Sequence, residues 1–142
     1  MGTNKAKVEF LGQPLILRII KRLQPLSAEL LIVSNTEDLD FPELQSIPIY
    51  KDILPDHGPL GGLMTALTYA KNDLVAMVAC DLPFVSPALI ALELDTINKD
   101  SSDVVIPKTN NGLEPLHALY RRETCLPAVV KALTDGKLRM IS

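Results

Sequence analysis

Gly61-Gly62-Leu63-Met64-Thr65-Ala66-Leu67-Thr68-Tyr69-Ala70-Lys71, followed after two polar residues by Leu74-Val75-Ala76-Met77-Val78-Ala79-Cys80 and then Asp81, decides the architecture. In its first part Leu63, Met64, Leu67 and Ala70 fall on one side at helical spacing, which predicts a helix over 63–71 opened by the Gly-Gly pair. The second part is continuously apolar with no alternation, the pattern of a strand buried on both faces of a sheet. A helix feeding such a strand is one half-turn of an α/β layer structure.

The flanking sequence repeats that grammar. Before it, Pro14 to Leu23 sets Leu15, Ile16, Ile19, Ile20 and Leu23 against Arg18, Lys21 and Arg22, an amphipathic helix with Pro14 in its first turn. Glu29 to Val33 predicts a buried strand that stops at Ser34-Asn35, and Ile47 to Tyr50 a shorter one. After it, Ser86 caps a helix to Ile97 with Pro87 at its first position. Strands follow at Asp103 to Ile106 and Leu116 to Tyr120, then a helix from Cys125 to Leu133. Asn98 to Asp103 and Thr109 to Gly112 read as polar loops. The order α-β-β-α-β-α-β-β-α, without repeats, predicts a three-layer α/β/α domain around an open, mostly parallel, Rossmann-like sheet.

At 142 residues the chain holds one domain with a sizeable core. Hydrophobic residues make up 47% but run too short for a membrane span, and no secretory leader is visible, so a soluble cytoplasmic protein is expected. A net charge of −3 with dispersed Lys and Arg, and no Trp, argues against nucleic acid. Cys80 and Cys125 are far apart and have no His at ligand spacing, which argues against a zinc site or a disulfide framework.

Ligands of open α/β sheets lie beyond the carboxyl ends of the strands, which singles out Asn35, Asp52 and Asp81. Asp81, after seven apolar residues, either offers a hard oxygen ligand to Mg²⁺ beside phosphates or is a turn-forming Asp before Leu82-Pro83. Asp52 to Gly62 joins two carboxylates to three glycines ahead of a helix, either a ligand cradle or a plain turn and helix entry. Lys5 is a phosphate-neutralising candidate that, like Lys51, Lys108 and Lys137, also reads as a solvated surface charge. His57 and His117 are not spaced as a ligand pair, and no activated nucleophile is visible.

Taken together, Met1-Gly2-x-x-Lys5, a strand ending in Asn35, Asp52 before GPLGGLMTAL (Gly58 to Leu67) and VACDLPFV (Val78 to Val85) resemble, in order and spacing, the molybdenum cofactor guanylyltransferase family. The resemblance implies a Mg²⁺-dependent nucleotidyltransferase that moves GMP from GTP to molybdopterin and releases pyrophosphate. It implies that Lys5 contacts phosphates and acts with Asp81 in catalysis, and that Asp81 holds Mg²⁺. Asn35, Asp52, Gly58, Pro59, Leu60, Gly61 and Asp81 would line the nucleotide site. Glu114 to Leu119 is similar, weakly, to a loop near the pterin side.

The family's first strand and its Leu-Ala-Gly-Gly loop have no counterpart ahead of Met1, and its closing Asn-Thr-Pro segment none after Ser142. The resemblance therefore implies one nucleotidyltransferase domain over 1–142, incomplete at both ends. Asp81-Leu82-Pro83 with Gly-Pro-Leu-Gly-Gly points away from the related cytidylyltransferases, which usually carry Asp-Gln-Pro. The alternatives are another nucleotidyltransferase on the same fold, of cytidylyl or sugar-phosphate type, and a non-catalytic nucleotide-binding fragment. Partners are then GTP and the pterin cofactor, with transient contact to cofactor-biosynthesis or acceptor enzymes.

Overall fold

In a computed structural model, residues 9–10, 13–35, 41–79, 85–110 and 112–136 are described. A two-residue hairpin pairs β1 (Glu9–Phe10) with β2 (Gln13–Pro14) and leads directly into helix α1 (Leu15–Leu23). Leu15, Ile16, Ile19 and Ile20 are buried, while Lys21 and Arg22 sit in the last turn, where cations suit the helix dipole. Strands β3 (Ile32–Val33) and β4 (Ile49–Tyr50) pair in parallel, with a 3₁₀ turn at Pro42–Leu44 between them. Ile16, Ile20, Ile32, Leu44 and Ile47 form a cluster that fastens α1 to this pair.

Helix α2 (Gly58–Tyr69) starts five residues before the expected Leu63, because Gly58 to Gly62 form its first turn and do not precede it as a loop. Strand β5 (Leu74–Val78) follows, then α3 (Pro87–Asp100), β6 (Val104–Val105), a hairpin of β7 (Lys108–Thr109) and β8 (Gly112–Leu113), β9 (His117–Arg121) and α4 (Arg122–Thr134). Ser86 caps α3 as expected, its hydroxyl accepting the Leu89 N–H at 3.1 Å. The helix overruns Ile97 into the expected polar loop and stops at Ser101, whose φ of 52° ends the right-handed turn. Thr109 to Gly112 is likewise no plain loop, since Lys108 pairs with Leu113 and Thr109 with Gly112.

The α/β class stands, and the strands are not all parallel. β3 and β4 form a parallel pair, while in a separate three-stranded sheet β9 lies between β5 and β6 and runs antiparallel to both. Its apolar run offered no sign of direction, because a strand covered on both faces reads the same either way. Alternate residues of β5 divide the layers: Val75 and Met77 pack with α2 and α4 around Leu67, while Val78 packs with Ile19 of α1 and Ile90 of α3. Expected strands at 29–33 and 103–106 shrink to two residues each, since a ladder forms only where a partner strand is present.

Candidate functional site

The carboxyl ends of β3 and β4 bring Asn35 and Asp52 together, although 17 positions separate them in the chain. Asn35 donates from Nδ2 to Asp52 Oδ2 at 3.2 Å and accepts the Asp52 backbone N–H on Oδ1 at 2.9 Å. This two-point clasp uses the amide as both donor and acceptor and fixes the carboxylate's orientation. Thr65, fully buried on α2, was not singled out by the sequence. Its hydroxyl accepts the Ile53 N–H at 2.9 Å and lies 3.1 Å from the Gly61 carbonyl and 3.4 Å from Asp52 Oδ1. The only sequence sign was a polar residue on an otherwise apolar helix face.

Between Asp52 and α2 the chain turns sharply. Asp56 and Gly58 take positive φ values of 65° and 60°, and His57 Nδ1 lies 2.8 Å from the Pro55 carbonyl. His57 therefore works within the turn. A Cβ on Gly61 would stand 2.9 Å from the His57 Cβ and 3.1 Å from the Leu54 carbonyl, so only glycine fits there. Gly61→Ala is expected to destabilise the fold by about 1–3 kcal/mol, the usual cost of overpacking. Urea unfolding checks this, and an unchanged midpoint would refute the close approach.

Leu60 is buried in the core cluster with Leu63 and Leu67, so what it and Gly61 can present to a ligand is backbone. Asp52, Gly58, Pro59 and Gly62 are among the residues lining a cavity of about 830 Å³, together with residues of β3 and β5. Lys5, Asp81, Cys80 and Lys137 lie outside the described residues. Among the described residues no cluster of three His, Cys, Asp or Glu side chains could hold a metal ion, and no helix is long and apolar enough to cross a membrane. Cys125 is buried and its thiol donates to the Asp103 carbonyl at 3.3 Å; burial pushes its pKa up.

A second polar group lies under α3. His117 Nε2 accepts the Ser86 N–H at 3.0 Å, which leaves Nδ1 to donate toward Glu93 Oε1 at 3.4 Å. Both side chains are buried, and Glu93 Oε2 has no partner among the described residues. Burial raises the Glu93 pKa above the ordinary 4.5, opposed by the hydrogen bond and charge of His117. A carboxyl whose folded pKa is raised gives its full stability below 4.5 and loses it as pH rises through the folded value. Glu93→Gln should thus gain stability relative to the parent as pH climbs from 4 to 8. Denaturation at a series of pH values checks this, and a constant difference would refute it. Of Glu114 to Leu119, Glu114 accepts the Thr109 hydroxyl at 3.0 Å and Leu119 is buried in β9.

Comparison with known proteins bears on what this geometry serves. The MobA-like NTP transferase domain matches residues 1–142. A protein of Carboxydothermus hydrogenoformans named "Probable molybdenum cofactor guanylyltransferase" is 38% identical over 141 residues, which cover 99% of this chain and 68% of that one. The "Molybdenum cofactor guanylyltransferase" of Vibrio cholerae is 30% identical over 141 residues, with the same coverage. The crystal structure of molybdopterin-guanine dinucleotide biosynthesis protein A from Archaeoglobus fulgidus superimposes with a TM-score of 0.78 at 23% identity, over 99% of this chain and 70% of that one. That of 2-C-methyl-D-erythritol 4-phosphate cytidylyltransferase from Thermus thermophilus gives 0.72 at 16% identity, over 93% and 72%. The two structures share the fold.

Proposed function

Since the chain belongs to the MobA-like NTP transferase domain family, we propose that it serves as a guanylyltransferase of molybdenum cofactor biosynthesis, transferring GMP from GTP to molybdopterin with release of pyrophosphate. The observation that carries the reading is the Asn35–Asp52 clasp at the ends of two parallel strands, against the first turn of α2, in a chain matched along its whole length. A carboxylate only accepts hydrogen bonds. What Asp52 takes from a nucleotide is therefore an N–H or O–H, such as the exocyclic amino group of guanine or a ribose hydroxyl.

The reaction is an in-line displacement at the α-phosphorus, with the terminal phosphate of molybdopterin attacking and pyrophosphate leaving. Such chemistry rests on positioning and charge stabilisation and needs no covalent intermediate. Asn35 and Asp52 hold the nucleoside end, the glycine turn lets the ligand approach backbone closely, and Lys5 neutralises phosphate. Nucleotidyltransferases of this kind work with a divalent metal, and we assign Mg²⁺ to this one, held by Asp81. The fit rests on chemistry: Mg²⁺ is commonly bound by one or two carboxylates and substrate phosphates, and Asp52 is already engaged by Asn35 and Thr65. Bound there, the ion would neutralise phosphate oxygens. A cytoplasmic location and transient contacts with cofactor-biosynthesis or acceptor enzymes complete the proposal.

Thermal-shift titration with Mg²⁺ and each of GTP, CTP, UTP and ATP tests the assignment. Stabilisation by GTP is expected; a response to CTP or UTP alone would overturn guanylyl transfer in favour of another nucleotidyltransferase.

A further inference from the structure

The peptide group that joins Val85 to Ser86 is held on both sides by side chains from other elements. Its C=O accepts from Arg22 Nη1 of α1 at 3.2 Å, and its N–H donates to His117 Nε2 of β9 at 3.0 Å. An imidazole accepts only at an unprotonated nitrogen, so the His117 proton sits on Nδ1, toward Glu93 Oε1 at 3.4 Å. The other polar groups of Ser86 are also taken: its hydroxyl accepts the Leu89 N–H and its carbonyl the Ile90 N–H, at 3.1 Å each. The Val85 side chain is fully buried with Ile19 and Ile90.

The same stretch of β9 holds the chain where it leaves β5. His117 stands opposite Val78 in the ladder, and the Leu116 carbonyl accepts the Ala79 N–H at 3.0 Å. The chain thus departs from β9 at Ala79 and is tied back to it at Ser86, with Asp81 between the two ties in sequence. Stability alone does not ask for the buried Glu93 and His117, since a buried polar pair can often be replaced by apolar residues of similar volume without loss. What an apolar residue cannot supply is a directional bond that fixes the plane of one peptide group.

We propose that His117 and Arg22 are positioning residues for nucleotidyl transfer, which clasp the Val85–Ser86 peptide and so fix the exit of the segment that carries Asp81. Glu93 serves by holding the His117 tautomer. The inference rests on the assignment of Asp81 to Mg²⁺ made above.

Two measurements on residues 1–142 test it. Amide hydrogen exchange reads the clasp: His117→Leu should speed exchange at Ser86 on the order of tenfold, with Ala79 near its parental rate. His117→Gln, whose amide oxygen can accept the Ser86 N–H, should restore the protection. Calorimetric titration of GTP with and without Mg²⁺ reads the consequence. The gain in affinity that Mg²⁺ brings should fall about tenfold in His117→Leu and in Arg22→Met, a usual size for groups behind a metal ligand, while metal-free GTP affinity stays parental. His117→Gln and Arg22→Lys should restore the gain. Because both side chains act on one peptide, the double variant should lose less than the product of the single losses.

Arg22 is only partly buried, so Arg22→Met decides the matter should His117→Leu fail to fold. A parental Mg²⁺ gain in the folded variants would overturn the proposal, as would equal loss in the His117→Gln and His117→Leu forms or an unchanged Ser86 exchange rate in His117→Leu. Failure of the guanylyl reading shows instead in the parent, as a metal-dependent response to another nucleotide, with which the same variants are then compared. A parent with no metal-dependent gain for any nucleotide would overturn the metal role of Asp81 and this proposal with it.

Discussion

Asp81→Asn is expected to lose metal-dependent GTP binding and turnover by on the order of 100-fold or more, since changes merely behind a ligand already cost 10–100-fold in metal affinity. The substitution keeps size and shape but removes the charge and one carboxylate oxygen. Mg²⁺ demands hard, charged oxygen ligands and is commonly held by few of them, so the loss of one falls on the whole site. Melting temperature without nucleotide should stay near the parent value, which separates this effect from unfolding. Calorimetric titration of GTP with and without Mg²⁺ measures it. A variant with parental Mg²⁺-GTP affinity would remove Asp81 from the metal role and leave the turn before Leu82-Pro83 as its purpose.

Leu67→Ala should be the most damaging single change in the core. Leu67 is fully buried at the centre of the cluster that joins α2 to Tyr120 of β9 and to Cys125, Val129 and Leu133 of α4. Truncation of such a side chain typically costs about 2–5 kcal/mol, through lost burial and the void left behind. That is a large part of the roughly 5–15 kcal/mol that holds a domain together. The midpoint of urea unfolding reads the loss. A change below 1 kcal/mol would mean that α2 repacks freely, against the close fit at Gly61.

The two changes also mark how far the sequence could be read. Helical periodicity put Leu67 on the buried side of α2 without any structure, because the spacing of apolar residues directly reports one covered face. The capping of α3 by Ser86 and Pro87 was equally local. By contrast, α2 buries residues on nearly every side of its first turns, Thr65 among them, and no periodic stripe announces that. Glu93 and His117, 24 positions apart, were never read as a pair, since nothing local in either segment signals the other. Asp81, the sharpest sequence candidate, rests on its place after an apolar run and on the family resemblance; it lies outside the described residues.

What the sequence by itself determined is the four helices, the α/β class, and the polar residues that end two of the strands, Asn35 and Asp52, while the short β1–β2 and β7–β8 pairs escaped it. Periodicity, caps and composition act over a few neighbouring residues and so survive in a one-dimensional reading. Only the tertiary structure decided that Asn35 clasps Asp52 and that β9 runs antiparallel between β5 and β6. Those facts belong to strand pairing, which joins backbone groups whatever their side chains, and a pairing between distant segments leaves little trace in either segment alone.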